Sequence, residues 1–184
     1  MDRRSMLKLL AGAAGSSLLP AHAASERLTP AAVEQMRREW KALLPKDADL
    51  PLAPTPLEWS RDMWKRVLTP TQFHVLREEG TERPFSSPLN NEKRAGVFVC
   101  AGCGLPLFTS RMKFESGTGW PSFVTSIPTH LATKQDFKMI VPRTEYHCAR
   151  CGGHHGHVFD DGPPPTGERW CSNGVALRFL PATA

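Results

Sequence analysis

Apolar residues near the start of the chain recur at helical spacing. Within 29–44 they fall at Val33, Met36, Trp40, Leu43 and Leu44. Because Thr29 supplies a capping residue and Pro30 a first-turn proline, this pattern predicts a helix. Shorter apolar patterns predict a second helix over 58–68 and a third over 70–80.

After the third helix the pattern changes to short apolar runs. These runs, at 96–100, 137–141 and 175–180, lie between clusters of glycine, proline and asparagine, as strands of an antiparallel β domain do. Seventeen prolines and fourteen glycines in 184 residues favour the same loop-rich architecture. We therefore expect a mainly β (α+β) domain over 58–181, preceded over 24–57 by a helix and a proline-rich surface strap.

The first 23 residues have the features of an export signal. Arg3 and Arg4 precede a weakly apolar run of eleven residues, and small residues follow at Ala21 and Ala23. Eleven residues are too few to span a bilayer. We expect a twin-arginine signal peptide over 1–23, a mature periplasmic protein and no stable membrane association. The alternative is a frayed N-terminal helix of a cytosolic protein.

The net charge does not indicate a nucleic-acid partner. The chain carries a formal charge of +5, of which Arg3, Arg4 and Lys8 against Asp2 supply +2. The other +3 is interleaved with acidic residues, as on an ordinary solvated surface. We expect no nucleic-acid binding.

Four of the five cysteines form two matched pairs. The pairs are Cys100 with Cys103 and Cys148 with Cys151, and a glycine follows each pair directly. Two such pairs are typical of a closed tetrahedral zinc site, which predicts one structural Zn²⁺ per chain. Two disulfides are the alternative in an oxidising compartment, and iron would suit the same ligands.

The fifth cysteine, Cys171, lies among charged and polar residues. Arg169 precedes it by two positions and Asn173 follows by two, so on a strand all three side chains share one face. A guanidinium at that distance can stabilise a thiolate. Cys171 is therefore a candidate nucleophile, and a buried inert thiol is the alternative.

Two further segments hold candidate chemistry. His154, His155 and His157 could be acid–base groups, since imidazole titrates near neutral pH, or ligands of a second metal. Trp120 lies in a glycine-rich turn and offers a flat apolar wall. A core tryptophan in a tight loop is the alternative for that residue.

Together these motifs resemble the B-type methionine sulfoxide reductases over about 115 residues. The matching segments run from 64–70 and 80–86 through Cys100–Phe108, Gly119–Phe123, Gly156–Phe159 and 161–167 to Arg169–Asn173. The resemblance implies two antiparallel sheets with flanking helices in a β-tent (Mss4-like) arrangement. It implies zinc on the side away from the catalytic cysteine, and reduction of the R epimer of methionine sulfoxide.

The resemblance also implies a role for each candidate residue. Cys171 corresponds to the nucleophile, and His157 (the preferred proton donor) and His154 to the active-site histidines. Trp120 corresponds to the wall that holds the substrate methyl group. Arg169 and Asn173 correspond to the residues that tune and orient the thiolate.

This chain departs from the common pattern at the recycling position. Thr118 stands where many relatives carry a second redox cysteine, so we expect an external thioredoxin-like thiol to reduce a Cys171 sulfenic acid. Oxidised proteins or peptides are the expected substrates, and a monomer the expected state. Two rival hypotheses are a zinc-ribbon binding module without catalysis and a cysteine hydrolase that uses Cys171 and His157.

Overall fold

The computed structural model describes residues 28–138 and 141–183. The proposed signal peptide over 1–23 lies outside these residues. The described chain is mainly β, with two antiparallel sheets and three short α-helices, which confirms the expected fold class. Within this described part, no helix is both long enough and apolar enough to cross a membrane.

From residue 28 onward, three α-helices precede the sheets. They are α1 (Pro30–Arg38), α2 (Arg61–Val67) and α3 (Pro70–Glu78). The side chains of Thr29, Ser60 and Thr69 each accept a backbone N–H of the first turn, as N-caps do. The first predicted helix is shorter than expected. Its α-helical part ends at Glu39 (φ −96°, ψ 16°), and a 3₁₀ turn then buries Trp40 and Leu43.

Nine strands form the two sheets. Strands β1 (Gly96–Cys100), β2 (Pro106–Thr109) and β9 (Leu177–Pro181) make a three-stranded sheet in the order β2-β1-β9. The six-stranded sheet has the order β3-β4-β8-β7-β6-β5. Its strands are β3 (Lys113–Phe114), β4 (Ser122–Phe123), β5 (Leu131–Asp136), β6 (Arg143–Cys148), β7 (His154–Phe159) and β8 (Arg169–Ser172).

Aromatic side chains hold the two sheets together. Phe108 of β2 stacks on Phe123 of β4 with ring centroids 4.0 Å apart, and Phe98 of β1 meets the same ring edge-on at 5.1 Å. All three rings are fully buried. Burial of each such side chain stabilises the fold by roughly 1.5–3 kcal/mol, so this contact fixes the position of β4 and its neighbour β8.

The strand predicted over 137–141 is wrong for the residues that the structure describes there. The chain leaves β5 at Asp136, whose carboxylate accepts the N–H of Lys138 at 3.0 Å and so favours a turn. Phe137 and Val141 are 73% and 72% exposed, so these two residues of the run do not belong to the core. The strand predicted over 175–180 begins two residues later, because a 3₁₀ turn covers Gly174–Ala176.

The strap after α1 lies against the two cysteine pairs. Leu50 packs on the buried Val97 and Val99 of β1. Further along, the N–H of Leu57 donates to the carbonyl of Arg150 at 2.7 Å. The strap is therefore part of the packed structure between α1 and α2.

Candidate active site and metal centre

The two cysteine pairs have the same backbone geometry. Cys100 ends β1 and Cys148 ends β6, and the carbonyl of each accepts the N–H of the glycine four residues later at 2.9 Å. These glycines, Gly104 and Gly152, have φ of 77° and 67°, which favours a residue without a Cβ. The knuckles therefore close in matching turns at the ends of two strands from different sheets.

The four sulfurs of the knuckles converge. They all lie within 4.8 Å of one another, with Cys100 and Cys151 3.7 Å apart and Cys103 and Cys148 3.5 Å apart. A tetrahedral zinc–thiolate site with bonds of about 2.3 Å has sulfurs about 3.8 Å apart. No cysteine of the chain is in a disulfide, and all five lie in the described residues. The donor set and its spacing therefore fit a tetrahedral metal ion.

Cys171 lies at the centre of the six-stranded sheet, away from the knuckles in sequence. It is directly opposite His157 of β7 on one side and Ser122 of β4 on the other. The β7 and β8 backbones approach closely at Gly156, where a Cβ would lie 1.9 Å from the carbonyl oxygen of Cys171. Only glycine fits at that position. Because glycine has no side chain, the two strands come close enough for His157 to lie beside the Cys171 thiol.

Two opposing influences act on the Cys171 thiol. Partial burial raises its pKa, whereas the charge of Arg169 and hydrogen bonds from Thr118 and Arg169 favour the thiolate and oppose that rise. Arg169 is itself fixed by two hydrogen bonds to Asp161, at 2.7 and 2.9 Å, and by stacking over Phe159 at 4.4 Å. The guanidinium of Arg169 is therefore held in a fixed position beside the Cys171 thiol.

The Thr118 hydroxyl belongs to a short chain of hydroxyl groups. The Ser116 hydroxyl lies 2.9 Å from that of Thr118 and 2.7 Å from that of Ser122, the residue opposite Cys171. Thr118 therefore lies beside the Cys171 sulfur. This is the position at which we expected the chain to lack a recycling cysteine.

His157 is held by a carboxylate at the end of β5. Its Nε2 lies 2.8 Å from Asp136, and Arg143 donates to the same carboxylate oxygen at 2.7 Å. Burial lowers the pKa of His157 and Asp136 opposes that effect. The backbone N–H of Lys138, together with His157 and Arg143, holds the pKa of Asp136 well below its usual range. An ionised Asp136 thus favours the protonated, proton-donating form of His157.

His154 lies deeper than His157. Its ring centroid is 5.6 Å from that of His157, and its Nδ1 lies 3.1 Å from the carboxylate of the buried Glu145. Burial lowers the pKa of His154, and Glu145 opposes that effect. His155 points elsewhere: it is fully buried against Tyr146, and burial lowers its pKa to about 3. His155 therefore behaves as a neutral core aromatic.

A small cavity opens onto the Cys171 thiol. It has a volume of about 130 Å³, and its lining includes Trp120, His157, Cys171 and Asn173. The structure therefore brings these four predicted residues together, with Arg169 beside the thiol. His154 does not line the cavity.

Glu82 organises one wall of this cavity. Its carboxylate accepts the N–H groups of Gly174 at 2.6 Å and Val175 at 2.9 Å, and its carbonyl accepts the indole N–H of Trp120 at 3.2 Å. The N–H of Glu82 donates to the side-chain oxygen of Asn173 at 2.9 Å. Burial raises the pKa of Glu82. The amide of Asn173, which also donates to the carbonyl of His155, thus fixes the loop after Cys171.

Several residues of the site were not identified from the sequence. Asp136, Arg143 and Glu145 lie on β5 and β6 and reach the histidines only through strand pairing. Glu82 precedes Cys171 by 89 residues, and although it lies in the matching segment 80–86, no role was assigned to it. The only sequence signal for Thr118 was its place at the recycling position.

Comparison with known proteins identifies the family. A family model described as the SelR domain matches residues 68–181, which include all five cysteines and every site residue named above. The chain belongs to the SelR-domain family. Because that match is more than half of the chain, the family extends over both sheets and the metal centre.

Curated relatives of this SelR-domain protein share one kind of name. The peptide methionine sulfoxide reductase MsrB of Methanosarcina barkeri is 54% identical over 129 residues, 70% of this chain and 91% of that protein. The MsrB of Bradyrhizobium diazoefficiens is 51% identical over 123 residues, 66% and 88% of the two chains. The chloroplastic peptide methionine sulfoxide reductase B1 of Arabidopsis thaliana is 50% identical over 121 residues, 65% and 60% of the two chains.

Proposed function

We propose that this SelR-domain protein is a peptide-methionine (R)-S-oxide reductase that returns oxidised methionine in proteins and peptides to methionine. The observation that carries the proposal is the pairing of Cys171 with His157 at a small cavity walled by Trp120. The cavity is small, about 130 Å³, which suits the methyl sulfoxide end of a side chain. The names of the relatives support the same reaction.

The first step uses Cys171 as nucleophile and His157 as acid. The thiolate attacks the sulfoxide sulfur, and His157 protonates the oxygen, because oxide is a very poor leaving group. The oxygen takes two protons and leaves as water while a bond forms between the Cys171 sulfur and the substrate sulfur. Attack of water on the Cys171 sulfur then breaks that bond, releases methionine and one proton, and leaves Cys171 as sulfenic acid. Arg169 supports the thiolate, Asn173 fixes the loop beside it, and Trp120 contacts the methyl group. His154 assists from the buried side of His157.

The second step regenerates the thiol with an external reductant. The first thiol of the reductant attacks the sulfenic sulfur and releases water, and a second thiol then resolves the mixed disulfide. All four other cysteines of the chain belong to the knuckles. A thioredoxin-like dithiol protein therefore suits this chain, and the enzyme works as a monomer in this scheme.

The metal is proposed to be one structural Zn²⁺ held by Cys100, Cys103, Cys148 and Cys151. Bound there, it would supply a cross-link between the ends of β1 and β6 and no open coordination position for a reaction. The export signal over 1–23 would deliver the folded, metal-loaded protein to the periplasm. Comparison of the protein's mass and location with and without the twin-arginine pair tests this delivery.

The experiment that tests the activity is dithiothreitol-driven turnover of the separate R and S epimers of a methionine sulfoxide peptide. We expect reduction of R alone by the wild type and none by Cys171→Ser. Absence of turnover with either epimer by metal-loaded protein would reject the reductase and favour a zinc-ribbon binding module. Thioester or peptide hydrolysis that Cys171→Ser abolishes would favour the cysteine hydrolase.

A further inference from the structure

Glu145 is a buried carboxylate that the reaction described above does not use. It is 3% exposed, as is its neighbour His154. A carboxylate without water is costly unless charged or hydrogen-bonding partners surround it. Its two partners are His154, at 3.1 Å, and Lys134, at 3.3 Å. Glu145 therefore links a surface lysine to a histidine beside the catalytic centre.

Strand register places Glu145 in line with the nucleophile. Lys134 of β5 is directly opposite Glu145 of β6, Glu145 is opposite His157 of β7, and His157 is opposite Cys171 of β8. The side chains of directly opposed residues share one face of a sheet. A single row thus crosses four strands from the exposed Lys134 to the reactive thiol.

A bulge in β7 brings His154 into this row. Tyr146 pairs with Gly156 whereas the next residue of β6, His147, pairs with His154, so β7 contains one extra residue at His155. The bulge turns His155 into the core and leaves His154 near His157. Both ring nitrogens of His154 are buried, and neither makes a hydrogen bond of good geometry among the described residues, so Glu145 meets Nδ1 as an ion pair and Nε2 has no partner. The centroid of the ring lies 5.6 Å from that of His157, so a proton that passes between the two histidines has a short path.

The proposed reaction needs more protons than one histidine can supply. In the proposed reaction the sulfoxide oxygen leaves as water. Its departure consumes two protons while the bond between the Cys171 sulfur and the substrate sulfur forms. Attack of water on the Cys171 sulfur then yields sulfenic acid and methionine and returns one proton. His157 can supply only one of the two protons at a time.

We propose that Glu145 is a positioning residue that holds His154 as a proton reserve, from which His157 is recharged during a single reduction. The proposal rests on the reductase activity proposed above. His154 passes its proton to His157, and the carboxylate of Glu145 stabilises the charged form of His154 before the transfer. Solvent returns the net proton to the pair after methionine leaves.

Other charged groups lie around the pair of Glu145 and His154. Lys134 is 48% exposed and is also paired with Glu79, which binds Lys138 at the surface. His147, His155 and His157 are the remaining titratable groups that act on Glu145 or His154. Because Glu79 also acts on His154, it is not a neutral control. Glu34→Gln is the matched control, since Glu34 pairs with Arg37 at the surface of α1 and is not among the groups that act on His154.

The test is the single-turnover rate of methionine formation from a methionine-R-sulfoxide peptide, without reductant, between pH 5 and pH 9. Glu145→Gln removes the negative charge beside His154. The alkaline limb of the pH–rate profile should therefore move to lower pH by about 1–2 units. The rate at pH 8 should then fall about tenfold or more, with a smaller loss at pH 5.5. Glu34→Gln should keep the wild-type profile, and peptide affinity and Cys171 alkylation should not change in either variant.

His154→Gln provides a second variant in case Glu145→Gln does not fold. It should shift the limb in the same direction, and the double variant should lose no more than the stronger single variant, because the two residues act as a unit. An equal loss at every pH, with an unshifted limb, would overturn the proposal and leave Glu145 a structural ion pair. A wild type that reduces no sulfoxide would reject the proposed function itself, which is a different result.

Discussion

Replacement of Arg169 by methionine should make Cys171 a much weaker nucleophile while the fold remains intact. Methionine keeps much of the buried stem of the arginine side chain but removes its charge. The thiolate then loses a hydrogen bond from a charged donor, worth about 1.5–3 kcal/mol. At 1.36 kcal/mol per unit, the pKa of Cys171 should rise by about 1–2 units.

The effect at neutral pH follows from the position of the wild-type pKa. Burial already raises the pKa of Cys171 above its ordinary value, so only a small fraction is thiolate at pH 7. In that range each unit of pKa lowers the thiolate fraction tenfold. Alkylation by iodoacetamide at pH 7 should therefore slow by about 10–100-fold in Arg169→Met. The partner left behind, Asp161, is 62% exposed and stays hydrated, so the cost in stability is small.

The assay is the pH dependence of Cys171 alkylation in metal-loaded protein, followed by mass spectrometry of the peptide that contains it. Arg94→Met is the matched control, because Arg94 pairs with Glu92 at the surface and makes no contact with the thiol. An alkylation midpoint that is the same in Arg169→Met as in the wild type would refute the argument. A rise in the control of equal size would refute it too.

Three other substitutions test separate parts of the site. Cys151→Ser should lower the metal content below one ion per chain and lower the Tm, as elemental analysis and calorimetry would report; equal stability with and without metal would contradict a structural role. Asp136→Asn removes a group that supports the protonated form of His157, so the pH–rate profile for sulfoxide reduction should move to lower pH, and an unmoved profile would speak against that support. Asp136 also contributes to stability, because its pKa is held below its ordinary value. That contribution is present above about pH 4 and is lost as the pH falls below that. Urea titrations of wild type and variant at several pH values would measure it. Thr118→Cys should form a disulfide with Cys171 during turnover, seen as a loss of about 2 Da in the intact mass; persistence of a trappable sulfenic acid would show that the two side chains do not meet.

Local signals in the sequence identified much of the fold and one whole site. The cysteine pairs with their trailing glycines predicted the knuckles, because both ligands of a pair come from a single turn. Thr69 and Pro70 predicted the start of α3 for a similar reason, since a cap and its first turn are contiguous. By contrast, the apolar run over 137–141 was misinterpreted, because hydrophobicity alone does not reveal a turn that begins at Asp136.

The residues that surround the nucleophile depend on strand register instead. Glu145 and Asp136 reach the histidines from neighbouring strands, and the sequence does not specify which residues are opposed. Simple alternation along β7 would place His155 and His157 on one face. The bulge reverses this arrangement and brings His154 beside His157. The family resemblance had implied this pair, but alternation along the strand alone would have chosen His155 instead of His154.

The burial of the knuckle sulfurs divides the cysteines into those that an oxidant can reach and those that it cannot. Cys100 and Cys148 have no exposed surface, whereas Cys171 opens onto a cavity that must admit its substrate. Peroxide or hypochlorite from solution therefore reaches Cys171 and the partly buried Cys103 but not Cys100 or Cys148. At Cys171 it forms a sulfenic acid that small thiols restore, so recovery there needs a reductant and not a new chain. At Cys103 it removes a ligand of the proposed metal site, so recovery there also needs the metal to be bound again.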